Sequence, residues 1–306
     1  MKGFLIFNKP KNLTSFKIVD YFKKLTNDKV GHGGTLDPIA EGLLILGIGK
    51  DYTKRLNEIL RNSKKVYLGE IILGYSSDTY DSEGNIKKVS DKIPDIEKIN
   101  EVLKDFIGKI KQKPPKFSAI KIDGKRAYEL ARKGKDFDIK EKEVEIYNLE
   151  ILNYSYPKLL IRAEVGSGVY IRSLANDIGE RLGCGGYLNN LIREKIITIN
   201  REFLLDEALS FDDIKKDFLE LYAKVYGIVQ GVGFRYFVYK NGKNLNLLGY
   251  VKNLEDGTVE VLAQGREKDL QKLIEYLEKG PSLAKVEKID IIFRKPLKTS
   301  PSFMIF

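Results

Sequence analysis

The stretch that leaves the fewest folds open is the last 85 residues. From Tyr222 onward, apolar alternation and helical spacing predict a strand at 224–229, a glycine loop (QGVGF) and a helix at 235–245. Strands at 248–252 and 257–263 flank the turn NLEDG, followed by a helix at 267–278, a strand at 285–293 and a short extended end. That order is βαββαβ, the ferredoxin-like, split-βαβ pattern. It is complete within 222–306, and a chain of 306 residues can bury more than one core, so two domains are expected.

The first part reads as mixed α and β. Strands are expected at 3–8, 43–48, 65–74, 143–154 and 158–165, and helices at 52–61, 96–106 and 170–182, the last stopped by Gly183. Ser15 is expected to cap a helix running to about Leu25 with Phe16, Val19 and Phe22 on its apolar stripe. A turn at Asp123-Gly124 precedes a helix ending at Arg132, and the polar segment LSFDDIKKDFLEL connects the two parts without a Gly/Ser-rich linker. The expected fold class is α+β: a mixed-sheet domain over 1–221, then a ferredoxin-like domain over 222–306.

Composition removes several chemistries. Cys184 is the only cysteine and His32 the only histidine, which excludes an intrachain disulfide and a multi-cysteine zinc site and argues against any metal centre. Carboxylates, arginine and backbone amides are left to do the chemistry. The net charge of +10 divides about equally between the two parts, 222–306 holding 14 basic and 9 acidic residues. Such basicity fits a polyanionic partner or a lysine-rich solvated surface. No apolar run approaches the roughly 20 residues that span a membrane, and MKGFLIFNKP is too short a stretch for a signal peptide, so a cytoplasmic location is expected.

Two glycine loops stand out. In GHGGTLDP, residues 31–38, the glycines predict a shaped loop rather than a helix or regular strand, and Asp37 reads either as a nucleophile or base, or as an Asx-turn residue before proline. In YGIVQGVGFRYFVYK a glycine loop joins a strand to a helix, so backbone amides can converge on one anion, yet no Gly-Lys-Ser/Thr follows and it is not a Walker loop.

GHGGTLDPIAEGLLILGIGKDYTK resembles the catalytic motif of the TruB family of tRNA pseudouridine synthases. Further matches follow in family order: Lys9-Pro10 with Thr14-Ser15, KKVYLGEIILG, DTYDSEG, QKPPKFSAIKIDGKRAYELARKG and GVYIRSLANDIGERLGCGGYLNNL, over roughly 2–209. The resemblance implies isomerisation of uridine to pseudouridine in the T loop of tRNA, at position 55, with no cofactor. It makes Asp37 the catalytic aspartate, Tyr67 the residue stacked on the base and Arg172 the partner of the aspartate. His32, Lys9, Lys54 and Tyr170 are the implied RNA contacts, His32 holding the rearranged loop while the target base is flipped. On their own, Tyr67 reads as a strand core residue, Arg172 as a surface charge at a helix start, and His32 as a hydrogen-bonded structural histidine. Gly33, Glu41 and Val169 depart from the family pattern. Where relatives continue into a PUA domain, none is found here.

VQGVGFR with GYVKNLEDGTVEVLAQG and GPSLAKVEKI is similar to acylphosphatase across 222–306. The likeness implies that the amides of Gln230, Gly231, Val232, Gly233, Phe234 and Arg235 and the Arg235 guanidinium bind the phosphate of a small acyl phosphate, while Asn253 positions the attacking water. Gly242 stands where that family usually has alanine. The other reading is a phosphate-binding module that docks RNA for the synthase.

Overall fold

Residues 1–118, 120–122, 124–132 and 137–306 are described by the structure, a computed structural model. The expected turn at Asp123 lies outside them. In chain order the strands are β1 (Gly3–Lys9), β2 (Val30–Gly33), β3 (Ala40–Ile48), β4 (Lys64–Leu73), β5 (Tyr75–Ser77), β6 (Ile86–Lys88), β7 (Gly108–Gln112), β8 (Lys121–Ile122), β9 (Lys125–Arg126), β10 (Lys142–Ser155), β11 (Lys158–Val165), β12 (Gly186–Ile197), β13 (Glu202–Leu204), β14 (Leu219–Ile228), β15 (Leu248–Asn253), β16 (Val259–Gly265), β17 (Lys285–Arg294) and β18 (Phe303–Ile305). The helices are α1 (Ser15–Thr26), α2 (Lys50–Ile59), α3 (Ile96–Lys104), α4 (Ala127–Arg132), α5 (Ile171–Leu182), α6 (Phe211–Lys216), α7 (Phe234–Asn244) and α8 (Glu267–Lys279).

β1 sits in the middle of the molecule, and its sequence explains why. Leu5 and Phe7 point to one face and Phe4 and Ile6 to the other, and all four are buried, as a strand covered on both sides requires. Its two edges pair with β3, antiparallel, and with β17, parallel at Phe4↔Ile292 and Leu5↔Phe293. One fourteen-stranded sheet therefore runs through both parts in the order β18-β15-β16-β14-β17-β1-β3-β12-β4-β11-β10-β7, with β2 and β13 pairing β3 and β12. Leu5, Phe7, Ile18 and Phe22 share one apolar cluster with Val225, Val261 and Phe293, so the C-terminal unit buries its core against the first part. Buried ions tie the opposite face: Arg294 bonds Glu220 at 2.6 Å and also Glu207, which receives Arg201 at 3.3 Å.

β17 runs parallel to β1, and β14 runs against both. The loop that follows β14 consequently leaves the sheet at the opposite end from Lys9, the last residue of β1. Among the described residues no helix is long and apolar enough to cross a membrane.

Several elements differ from the sequence expectation. The start of the first glycine loop is a strand: β2 pairs along β3, with His32 opposite Leu46, because β3 is long enough to offer an edge beyond β12. β12 is the longest unanticipated element; register shifts at Leu188/Asn190 and Arg193/Lys195 break its alternation and hide its period. The supposed connection at 209–221 holds α6 and the first residues of β14. In α1 the cap is Thr14, whose Oγ1 accepts from Lys17 N at 3.2 Å, and Ser15 turns inward instead. That rotation leaves Phe16 73% exposed, while Ile18 and Phe22 make the buried stripe.

Candidate active site and phosphate cradle

Asp37 lies in the loop between β2 and β3, and three contacts fix that loop. Leu36 N donates to Ser15 Oγ at 2.9 Å, Ser15 Oγ donates to Leu36 O at 3.1 Å, and Asn12 N donates to Pro38 O at 2.8 Å. The start of α1 and the turn before it thereby form one wall of the site. The Asp37 side chain is 36% exposed, open to a substrate, and its Oδ2 lies 2.9 Å from Arg172 Nε. That N–H is not directed along the line to the oxygen, so the attraction is chiefly Coulombic.

Arg172 comes from the first turn of α5 and is buried, contrary to a surface reading. Its Nη1 lies 3.2 Å from Asp81 Oδ2, and its Nη2 donates to Phe117 O at 3.1 Å. Asp81 is buried in the DTYDSEG turn, where its Oδ1 accepts from Glu83 N at 3.0 Å and from the Thr79 hydroxyl. One guanidinium thus joins a buried carboxylate to an open one, and a buried ion pair of that kind fixes geometry more than it adds stability. The sequence singled out the turn but assigned Asp81 no role.

Tyr67 projects from β4 into the cluster that also holds Leu36 and Ile171, 9% exposed. Its hydroxyl lies 3.5 Å from Arg193 Nη1. Arg193, on the bulged part of β12, donates from Nε to Leu43 O at 2.7 Å and from Nη2 to Gly34 O at 2.9 Å. It is a residue that sequence reasoning missed, and an arginine within the apolar-rich run NLIREKII was the available signal.

The expected RNA contacts divide. His32 is half-buried on β2, its Nδ1 without a hydrogen-bond partner among the described residues, and burial first, then the Arg193 charge, holds its pKa below the usual value. Tyr170 caps the start of α5, its main chain gripped by Gln112 through Tyr170 N to Oε1 at 2.8 Å and Nε2 to Tyr170 O at 3.1 Å. Burial raises its phenol pKa, and the charge of Asp37 adds to the rise. Lys54 is exposed on α2. Lys9 is placed differently from expectation: it is fully buried, and its ammonium donates to Pro10 O at 2.9 Å and Leu13 O at 2.6 Å. It braces the turn under the site rather than facing RNA, and burial lowers its pKa to about 8.

In the C-terminal unit, Gly231 and Gly233 have φ of 74° and 77°, a region that favours glycine, and they turn the chain from β14 into α7. The loop is anchored below by Gln230, whose Nε2 donates to Leu254 O at 2.8 Å and Thr258 O at 2.9 Å, and by Phe234, which is buried. Val232 packs partly against the core. Arg235 Nη1 donates to Phe306 O at 2.6 Å, and Phe306 N in turn donates to Val251 O on β15 at 2.9 Å. Asn253 ends β15, next to the Leu254 that Gln230 grips, and its buried Oδ1 has no hydrogen-bond partner among the described residues. The glycine loop, Arg235 and Asn253 therefore meet at one end of the sheet. Gly242 has a local reason: a Cβ there would come within 2.8 Å of the Phe303 ring.

Among the described residues no cluster of three or more His, Cys, Asp or Glu side chains could hold a metal ion. Residues 23–171 match the family model for TruB family pseudouridylate synthase (N terminal domain), and residues 221–305 match that for acylphosphatase. A relative in Protochlamydia amoebophila, tRNA pseudouridine synthase B, is 43% identical over 215 residues, 70% of this chain and 80% of the relative. The protein of the same name in Aquifex aeolicus is 44% identical over 218 residues, 70% of this chain and 75% of the relative. Among solved structures, a Cbf5-Nop10-Gar1 complex aligns with TM-score 0.53 at 21% identity, covering 94% of this chain and 84% of the matched chain, a likeness of fold alone.

Proposed function

We propose, from the premise that the chain belongs to the TruB family of tRNA pseudouridine synthases, that Asp37 isomerises uridine to pseudouridine at position 55 in the T loop of tRNA. The observation that carries this reading is one open carboxylate held by a buried arginine whose other partner is a second, buried carboxylate. Isomerisation needs no oxidant, water or cofactor, only a group that breaks the C1′–N1 bond and a pocket that retains the base while it turns. The Asp37 oxygen either bonds to C1′ or takes the 2′ proton, and the Arg172 guanidinium 2.9 Å away holds the carboxylate in place for either route. Tyr67 lies against the uracil ring, while His32, Tyr170 and Lys54 contact the folded RNA around it. Tritium release from tRNA labelled at uridine C5 tests the reading. Wild type is expected to release it and Asp37→Asn to release none; equal release by both would reject Asp37 as the reacting group.

Residues 1–221 carry that chemistry, and residues 222–306 form an acylphosphatase-like unit that hydrolyses small acyl phosphates. The amides of 230–235 and the Arg235 guanidinium bind the phosphate, and Asn253 Oδ1, a buried acceptor with no protein partner, orients the attacking water. With benzoyl phosphate as substrate, Arg235→Ala and Asn253→Ala are expected to abolish hydrolysis by folded full-length protein. A folded wild type without activity would instead assign this unit to phosphate or RNA docking.

A further inference from the structure

Arg193 carries a full positive charge at 1% exposure, and among the described residues it has no carboxylate partner. Two backbone carbonyls and the Tyr67 hydroxyl are what it bonds. A buried cation without a counter-charge is costly even when hydrogen-bonded, and an anion arriving beside it lowers that cost. The surroundings feel this charge: after burial, it helps to lower the pKa of Lys9, Lys65 and His32. Lys65 lies two residues before Tyr67 and donates to Ser63 O at 3.1 Å and Ser167 Oγ at 2.8 Å. The carboxylates Asp37 and Asp81 pair with Arg172 instead, and Glu41, whose neighbour Gly42 lies opposite Arg193 in the sheet, makes no ion pair with it.

The proposed isomerisation moves charge from Asp37, which Arg172 pairs, to the base held against Tyr67, which Arg193 bonds. When the C1′–N1 bond breaks, its electron pair leaves with the base. If the Asp37 oxygen bonds to C1′, or if Asp37 takes the 2′ proton as C1′ and C2′ form a double bond, the carboxylate becomes neutral and the uracil becomes an anion. In the second half the C5 electron pair forms the bond to C1′ while the Asp37 oxygen leaves C1′ or Asp37 gives its proton back to C2′, so that Asp37 is again a free carboxylate; C5 then loses its proton and N1 gains one. Between the halves one negative charge has left the company of Arg172.

We infer that Arg193 is a positioning residue that acts through Tyr67: it fixes the Tyr67 hydroxyl and the Gly34 carbonyl, and its field stabilises the freed uracil anion held against Tyr67. The inference rests on the isomerase reading. Arg172 anchors the charge before cleavage, and Arg193 stabilises it after cleavage.

The test uses full-length Arg193→Gln and Arg193→Lys in single-turnover reactions, with tRNA carrying uridine or 5-fluorouridine at the target position. Loss of the substrate nucleoside is measured after nuclease digestion. Arg193→Gln, which keeps a hydrogen-bonding group but no charge, is expected to slow uridine consumption by about 30-fold or more, with tRNA affinity within about threefold of wild type. Arg193→Lys, which keeps the charge, is expected to stay within about fivefold. Fluorine makes the departing ring a better anion, so the Arg193→Gln loss is expected to shrink severalfold on 5-fluorouridine. Equal losses on the two substrates, equal defects in Gln and Lys, or an unaffected Gln variant would each overturn the assignment. Should the Gln variant fail to fold, a folded Lys variant slowed as much as about 30-fold on both substrates would overturn it as well. A wild type that consumes no uridine would reject the isomerase reading itself, a distinct outcome.

Discussion

Asp81→Asn isolates the buried half of the carboxylate–arginine–carboxylate chain. In the native protein Asp81 Oδ2 is 3.2 Å from Arg172 Nη1, and the Asp81 side chain is 3% exposed. Two unit charges about 4 Å apart at an effective dielectric of about 20 attract by roughly 4 kcal/mol. With its oxygen still accepting from Glu83 N and the Thr79 hydroxyl, the asparagine turns its NH2 toward the guanidinium, a donor facing a donor, so no hydrogen bond to Arg172 offsets the lost attraction. The substitution also removes the desolvation cost of the carboxylate, so a net loss of about 2 kcal/mol is the expectation. The functional effect should be larger than the stability effect suggests, because a guanidinium held inside only by carbonyls such as Phe117 O, without its buried charge partner, can follow Asp37 away from the substrate. A fall of about 100-fold in the single-turnover rate is expected. Urea unfolding followed by circular dichroism measures the first quantity and tritium release the second, and the cycle with Arg172→Met should show a coupling of about 2 kcal/mol. An Asp81→Asn protein within about 0.5 kcal/mol of wild type and fully active would mean that Asp37 and the Phe117 carbonyl suffice to orient Arg172.

Lys9 provides a pH test. Burial depresses its folded pKa to about 8 against 10.5 for the free side chain, so between those values the unfolded chain binds more protons and stability rises with pH. The rise amounts to about 3 kcal/mol over pH 8 to 10.5, Lys65 adds a slope of the same sign, and Lys9→Met should remove the Lys9 share when unfolding is titrated in urea. Gly242→Ala forces a Cβ against the Phe303 ring and should cost about 1–3 kcal/mol in thermal unfolding while leaving phosphate binding intact. Arg294→Met leaves the buried Glu220 without a cation and Glu207 with Arg201 alone where the two units meet, and is expected to cost about 3–5 kcal/mol, nearly independent of added salt. A strong salt dependence would place those ions in contact with solvent.

What could be read from the sequence follows from how local each feature is. The C-terminal βαββαβ order and most strands and helices of the first part rest on short-range periodicity and were legible, as was the α+β class. Asp37 stood out because a glycine-rich loop before proline is an unusual place for a carboxylate. Asp81 and Arg193 did not, because their importance comes from burial, and burial is decided by strands distant in sequence: Arg193 meets Leu43 O and Gly34 O across about 150 residues. β12 was missed because its bulges defeat a period of two, and those bulges are what aim Arg193 inward. Phe16 was assigned to the core and Lys9 to the RNA, and each was misplaced by one rotation or one carbonyl contact that no propensity encodes.

The opposed directions of β1 and β14 bear on how the chain can use two sites. From the Phe4↔Ile292 pair, Lys9 lies five residues forward and Lys285, which pairs with Ile228, seven residues back. At ~3.3 Å per residue the Asp37 loop and the glycine loop at 230–233 are separated by on the order of 30–40 Å along the strands. No side chain of one site can therefore reach a substrate bound at the other. The shared core prevents a hinge from closing that gap. With hydrolysis at the second site as proposed, saturating the first site with tRNA should leave the KM and maximal velocity for the acyl phosphate unchanged, as for two catalysts mixed in a fixed one-to-one ratio.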